Sequence, residues 1–132
     1  MIDEANALSV TVTLHGSTHA VVRVGGELDI ATGLLLHHQL AAQVTSGRTH
    51  LVIDLSGVPF MDSSGLNTIL RTDRETRAAG GGLVLAGAGP QVRRLLELTG
   101  VDLTIPLVDD ADAALADAGT ARSEPGAPAP GR

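Results

Sequence analysis

Cysteine, tryptophan, tyrosine and lysine are absent from this 132-residue sequence, and phenylalanine occurs once. Without cysteine the chain forms no disulfide and offers no thiolate for catalysis or metal binding, which fits a reducing cytoplasm. With Phe60 as the one phenyl ring, the core must be built from leucine, valine, isoleucine and alanine. Because 43% of the residues are hydrophobic, the sequence predicts a single folded domain with an aliphatic core.

Positive charge is also scarce, since 9 basic residues face 15 acidic ones and the net charge is −6. An acidic chain attracts neither nucleic acid nor anionic lipid, so we expect no direct nucleic-acid binding and no membrane association. No apolar run approaches the roughly 20 residues of a membrane-spanning helix. The N-terminus lacks the basic-then-apolar order of a signal peptide. These features predict a cytoplasmic protein.

The spacing of apolar residues alternates between the two-residue period of a strand and the 3.6-residue period of a helix. Asp29 is suited to begin a helix, and Pro90 is suited to a first helical turn. Gly47 and Gly100 are suited to follow helix ends. Pro106 indicates an edge strand, because proline cannot donate to a sheet ladder. The pattern predicts strands at residues 8–14, 20–24, 50–55, 83–86 and 103–108, and helices at residues 31–46, 64–79, 90–99 and 110–118.

This order of elements predicts an α/β fold with a mainly parallel sheet of about five strands and about four helices. The first two strands are close enough to form a hairpin, which makes the sheet mixed. We expect one domain over residues 1–118. Residues 119–132 are rich in proline, glycine and alanine and predict a disordered tail.

The segment VPFMDSSGL, residues 58–66, joins the central strand to the second helix and places an aspartate and two serines at the junction. Asp62 or Ser63 can cap the helix by accepting hydrogen bonds from its first amides, which is worth ~1 kcal/mol. Ser63 or Ser64 is also a candidate nucleophile, or a residue that another protein modifies. Within the helix we expect Leu66, Ile69 and Leu70 to face the core and Arg71, Asp73, Arg74, Glu75 and Arg77 to face solvent.

A serine nucleophile needs a base within hydrogen-bond reach, and the nucleophile elbow has glycines two residues before and two after the serine. Met61 occupies that position before Ser63, and the last histidine of the chain, His50, comes before both serines. The sequence therefore predicts no hydrolase triad, and no residue is assigned a catalytic role.

The histidines predict no metal site. His15 and His19 lie four residues apart on a predicted turn, so they do not share a helix face. His37 and His38 are adjacent on a predicted helix, where at most one of them faces inward. No cysteine or clustered carboxylate completes a ligand set.

The segment GAGPQV, residues 87–92, follows a strand and opens a helix, as a dinucleotide-binding turn does. Val92 occupies the position of the third glycine, where its side chain would obstruct close packing of helix and strand. Pro90 removes one amide from a phosphate cradle. We interpret the segment as a tight connection between strand and helix and predict no cofactor.

Three stretches of the chain resemble one known family. They are LVIDLSGVPFMDSSGL (residues 51–66), GGELD (residues 25–29) and PQVRRLLELTGV (residues 90–101). They resemble, in the same order, the signature segments of the anti-sigma factor antagonists, the bacterial members of the STAS domain family. The likeness covers about residues 7–118, and its most specific part is the DSSGL segment.

The resemblance implies a single STAS domain with a regulatory function and no enzymatic activity. In that family an anti-sigma factor that is also a serine kinase phosphorylates the first serine of the DSSG segment, here Ser63. The unmodified protein binds the anti-sigma factor and frees the sigma factor, and a PP2C-type phosphatase reverses the modification. The aspartate of the GELD segment, here Asp29, lies near the serine. The partner-binding residues that we predict are Asp29, Asp62, Ser63, Ser64, Gly65, Asn67 and Arg71.

Two other interpretations remain open at this point. In the first interpretation, the domain is a scaffold that binds a partner constitutively, and both serines act only as helix caps. Alternatively, the chain is a small enzyme or nucleotide-binding domain that depends on Gly87 and Gly89.

Overall fold

The computed structural model describes residues 8–115, which form a five-stranded sheet with helices on both faces. The predicted tail at residues 119–132 lies outside the described residues. Residues 111–115 form the helix α4. The other elements, in chain order, are β1 (Ser9–His15), β2 (His19–Gly25), α1 (Ile30–Thr45), β3 (His50–Gly57), α2 (Ser63–Ala78), β4 (Gly82–Ala86), α3 (Pro90–Thr99), a 3-10 turn (Val101–Leu103) and β5 (Leu107–Val108).

The strands lie in the sheet in their chain order, from β1 to β5. β1 and β2 form the predicted antiparallel hairpin, and the other neighbouring pairs are parallel. Residues 51–55 of the central strand β3 are all buried, as expected for an aliphatic strand with helices on both sides. The prediction of an α/β fold with a mixed, mainly parallel sheet is confirmed.

Alternate residues of the strands supply two separate cores. On one face, side chains such as Val22 and Ile53 pack with Leu36 of α1, Ile69 of α2 and Leu96 of α3. The opposite face carries a smaller cluster of Val21, Val52 and Ala86 beneath Ala111 and Ala114 of α4. No helix within residues 8–115 is both long enough and apolar enough to cross a bilayer.

The last predicted strand is much shorter than expected. Residues 103–108 were predicted to be extended, but the backbone turns back after Gly100, and the amides of Thr104 and Ile105 donate to the carbonyl of Val101. These amides are therefore not available to a sheet ladder. Only Leu107–Val108 pairs with β4, at the edge of the sheet, as Pro106 predicted.

The structure also corrects the prediction that Asp73 is solvated. Its side chain is buried on the inner side of α2, and Arg77, one turn later, places its Nε 3.1 Å from the carboxylate. A buried carboxylate requires such a partner because burial disfavours its charged form. The amphipathic pattern did not reveal this pair, since both residues are charged.

Candidate functional site

The loops that precede α1 and α2 are joined by backbone hydrogen bonds at the carboxyl edge of the sheet. The amide of Leu28 donates to the carbonyl of Phe60 at 3.0 Å, and the amide of Asp62 donates to the carbonyl of Leu28 at 3.1 Å. Leu28 and Met61 form an isolated parallel bridge between these two bonds. The two helices therefore begin side by side, and the predicted site residues Asp29 and Ser63 belong to adjacent helix starts.

Gly65 allows this close approach. A Cβ atom at Gly65 would lie 2.7 Å from Leu28 Cβ and 2.8 Å from Met61 Cγ, well inside van der Waals contact. Here the structure differs from the sequence prediction, which placed Gly65 on the partner-binding surface. Gly65 is buried, so its contribution is to bring the two loops together.

A side chain from α3 holds the loop before Ser63 in place. The Gln91 side-chain oxygen accepts a hydrogen bond from the amide of Met61 at 3.1 Å, and its Nε2 donates to the carbonyl of Met61 at 3.3 Å. Sequence reasoning missed this contact. The two residues are 30 positions apart, and nothing in the local pattern distinguishes Gln91 from a solvated polar residue of an amphipathic helix.

An aspartate caps each of the two helices. Asp62 accepts hydrogen bonds from the amides of Ser64 and Gly65 at 2.9 and 3.2 Å. Asp29 and Thr32 form a reciprocal capping box at the start of α1. The hydrogen bond from the Thr32 amide, followed by the one from its hydroxyl, holds the pKa of the Asp29 carboxyl below its ordinary value. Both helix starts therefore present a carboxylate at the surface.

Ser63 and Ser64 differ in their environments. Ser63 is the first residue of α2 and is exposed to solvent. Ser64 is only partly exposed, its amide donates to Asp62, and its carbonyl lies 3.3 Å from the hydroxyl of Thr68. Ser63 is therefore the more exposed of the two serines.

The outward side of α2 continues from Ser63 through Asn67 and Arg71, which follow at four-residue spacing and are both exposed. Arg71 forms an ion pair with Glu75 at 3.5 Å. It also lies eight residues from Ser63, or about 12 Å along the helix axis. Arg71 is therefore too distant to neutralise a charge on Ser63.

Three exposed apolar side chains surround the same region. Ile30 and Leu34 lie one turn apart on α1 with 70% and 65% of their surface exposed, and Phe60 lies in the loop before α2 with 42% exposed. Sequence reasoning did not include them in the site. Ile30 and Leu34 lie off the inward stripe of Leu36 and Leu40, which was the available signal. Exposed apolar residues close together are typical of a protein-binding surface.

Two of the alternative sites receive little support. A Cβ atom at Gly87 would lie 3.1 Å from an oxygen of the Asp54 carboxylate, so a negative charge already lies against the turn where a phosphate would bind. The amide of Gly87 is also occupied, since it donates to the carbonyl of Val108 at 3.1 Å. Within residues 8–115, no group of three or more histidine or acidic side chains is placed to hold a metal ion.

Comparison with known proteins gives one consistent family. The model of the STAS domain family matches residues 9–114. The chain is 33% identical over 91 residues to an anti-sigma F factor antagonist of Paenibacillus polymyxa, covering 68% of this chain and 78% of that protein. It is 35% identical over 103 residues to the anti-sigma-F factor antagonist RsfB of Mycobacterium tuberculosis, covering 77% of this chain and 82% of that protein.

A solved structure agrees with these relatives. The crystal structure of an anti-sigma factor antagonist from Mycobacterium paratuberculosis superposes with a TM-score of 0.75 at 34% sequence identity, over 93% of this chain and 100% of that chain. The family match extends from β1 into α4 and includes both capped loops. The chain therefore belongs to the STAS domain family and, within it, to the anti-sigma factor antagonists.

Proposed function

We propose that this protein binds an anti-sigma factor that is also a serine kinase, and that phosphorylation of Ser63 ends this binding. The observation that carries the proposal is the placement of Ser63, which is exposed as the first residue of α2, directly after its Asp62 cap and beside the Asp29-capped start of α1. Family membership and the names of the relatives support the anti-sigma factor as the partner. The protein acts by binding and carries out no turnover of its own.

A phosphate on Ser63 changes the local charge strongly. The group adds about −1.5 to −2 charges at pH 7, beside the carboxylate of Asp62 and near that of Asp29. Because the amides of Ser64 and Gly65 already donate to Asp62, they are not available to hold the phosphate. A partner surface that accepts a neutral hydroxyl would then have to bury an unpaired anion. A penalty of only about 3 kcal/mol lowers affinity more than a hundredfold.

The fold of the antagonist itself tolerates the modification. Ser63 is exposed to solvent, and the positive end of the α2 dipole favours an anion at this position. The loop beneath it is held by the backbone bonds to Leu28 and by Gln91, none of which involves the serine hydroxyl. The switch therefore works by changing the contact surface, with no refolding.

The proposed contact surface combines the predicted polar residues with the exposed apolar ones. Around Ser63 it includes Asp29, Asp62, Asn67 and Arg71, with Ile30, Leu34 and Phe60 beside them. Apolar side chains supply buried area in such a complex, while the charged rim sets orientation and rate of association. The same surface serves a PP2C-type phosphatase, which restores the hydroxyl.

The test begins with the kinase, which co-purification from the native host identifies. Incubation with this kinase and ATP, followed by mass analysis, should label the parent protein once. Ser63→Ala should remove the label, and the matched control Ser64→Ala should keep it. Equal labelling of Ser63→Ala and the parent protein would disprove the site assignment. A PP2C-type phosphatase should remove the label from the parent.

Binding measurements separate the switch from a constitutive scaffold. Ser63→Asp adds a charge, and Ser63→Asn is an uncharged side chain of the same shape. We expect Ser63→Asp to weaken binding by about tenfold or more, and Ser63→Asn to change it by less than about threefold. A scaffold that uses the serines only as caps predicts the same affinity for both variants, and that result would refute the switch.

A further inference from the structure

A cavity of about 360 Å³ lies at the amino ends of β3 and β4, at the opposite edge of the sheet from Ser63. Its volume is in the range of small-molecule sites. Family membership and the proposed switch assign no role to it. The side chains that matter for its chemistry are His19, His50, Arg77, Val52, Val84 and Pro106.

Two stacked histidine rings line one side of the cavity. The rings of His19 and His50 are stacked, with their centroids 4.8 Å apart and their planes inclined by 14°. The Nδ1 atoms of both rings lie within hydrogen-bond distance of the preceding threonine hydroxyls, at 3.0 Å for Thr18 and 3.5 Å for Thr49. These contacts fix the ring orientations. A stacked pair of this kind can be extended by a further planar ring that packs on its outer face.

Arg77 supplies a fixed positive charge at the rim. Its Nε donates to Asp73 at 3.1 Å, and one terminal nitrogen donates to the carbonyl of Thr104 at 2.9 Å. These contacts use two of the five N–H donors of a guanidinium group. The side chain remains 54% exposed, so its other N–H groups can donate to an additional partner. A guanidinium that is held in place in this way is well suited to a carboxylate, which it can bind through two parallel hydrogen bonds.

The walls between these polar groups are apolar, with Val52, Val84 and Pro106 among them. None of the described residues that line the cavity is acidic, and the nearby carboxylate of Asp73 is already paired with the Nε of Arg77 at 3.1 Å. This local absence contrasts with the net charge of −6 for the whole chain. The cavity therefore favours a ligand with an apolar body and a single negative charge. The guanidinium of Arg77 would repel a cation, and a polar body would lose its hydrogen bonds to water against the valines.

We propose that this cavity binds a small aromatic carboxylate. The ring packs on the stacked histidines and against the valines, and the carboxylate pairs with the guanidinium of Arg77. Because the site lies at the amino edge of the sheet, the proposal is independent of the Ser63 switch. An experiment that disproves the cavity proposal does not disprove the Ser63 switch, and the reverse also holds.

Gly82 provides a way to fill the cavity without disturbing the fold. It pairs with His50 across the sheet, so a side chain at this position would point to the same face as the imidazole. A Cβ atom built at Gly82 has no heavy atom within 4 Å, and its φ angle is not in the left-handed region. Isoleucine is therefore compatible with the strand and would occupy the cavity.

The probe is 2-naphthoate, titrated into the whole protein by calorimetry and by amide NMR. We expect saturable binding with shifts of the His19, His50 and Gly82 amides. Gly82→Ile should abolish binding, and the matched control Gly89→Ala should not. Gly89 also has open space around its Cβ position but lies at the other edge of the sheet. Absence of binding to the parent protein, or unchanged binding to Gly82→Ile, would overturn the proposal.

The charge requirement is tested separately with 2-naphthalenemethanol, which has the same ring system and no charge. We expect it to bind at least about tenfold more weakly than 2-naphthoate, because it forms no charge-assisted pair with Arg77. Arg77→Gln should reduce the affinity for 2-naphthoate to the level of the alcohol, and Arg77→Lys should restore part of it. Equal affinity for alcohol and carboxylate in the parent protein would refute the assignment of an anionic ligand. Thermal melts of each variant verify that it is folded.

Discussion

Replacement of Gly65 by alanine tests whether the two helix starts are in contact as described. In an ordinary helix the change stabilises by ~1 kcal/mol, since alanine is the better helix former. Here the added methyl group would lie 2.7 Å from Leu28 Cβ and 3.0 Å from the Leu28 carbonyl oxygen. Neither atom can rotate away, because the backbone of Leu28 is held by hydrogen bonds to the loop before α2.

The steric overlap between the added methyl group and Leu28 decides whether the substitution raises or lowers the free energy of unfolding. Overpacking of a rigid site costs roughly 1–3 kcal/mol, and the immobility of Leu28 favours the upper half of that range. After subtraction of the helix-propensity gain, we expect Gly65→Ala to lower the free energy of unfolding by about 1–2 kcal/mol. With a slope of ~1–1.5 kcal/mol per molar urea, the unfolding midpoint should fall by about 1 M.

Gly33→Ala is the matched control. Gly33 also lies in a helix that packs closely on its neighbour, but its new methyl group would meet only the hydroxyl of Thr68, at 2.8 Å. That hydroxyl can turn aside at the cost of its long hydrogen bonds to the carbonyls of Gly33 and Ser64, both at 3.3 Å, so we expect a change within about 1 kcal/mol. The assay is urea unfolding followed by circular dichroism. If Gly65→Ala is as stable as the parent protein or as Gly33→Ala, the reasoning about this contact is wrong.

Three further predictions concern the same edge of the sheet. Asp62→Ala should destabilise the protein by about 1 kcal/mol in urea unfolding, while Asp62→Asn keeps the cap and loses only a few tenths. Gln91→Ala should speed hydrogen exchange of the Met61 amide, whereas Gln91→Glu keeps an acceptor for that amide and should preserve most of the protection. Asp29 has a pKa below its ordinary value, so its ionised form stabilises the fold. This contribution is complete above about pH 4 and is lost as the pH falls through the folded-state pKa. An NMR titration of the Asp29 carboxyl should show the lowered pKa, and Asp29→Asn should flatten the acid limb of the stability curve. An ordinary pKa for Asp29 would contradict the prediction.

Much of the fold was predictable because the required signals are local. Strand and helix periods differ, and residues such as Asp29, Pro90 and Gly100 mark the helix ends, so the order of elements followed from the sequence. The short β5 was not predictable in the same way. Its apolar residues fit a strand, and only the backward hydrogen bonds to Gly100 and Val101 show why residues 103–105 cannot join the sheet.

The site was predictable in part. The DSSG segment predicts Ser63 as the modified residue, and this stays a prediction. The sequence left the helix cap to Asp62 or Ser63, and the structure assigns it to Asp62. The burial of Gly65 and the bonds from Gln91 depend on contacts between segments about 30 or more residues apart. Local periodicity contains no information about such contacts, which appear only once the sheet brings the segments together.

The pairing of Leu28 with the loop before α2 also bears on the timing of the proposed regulatory cycle. The loops are already locked before any partner arrives, so a molecule that has just lost its phosphate has nothing to rearrange before it binds again. In the proposed cycle, each binding event therefore starts from the same loop conformation, whatever the earlier phosphorylation of the molecule. The pace of the proposed response is then set by the two modifying enzymes and not by a rearrangement of the antagonist.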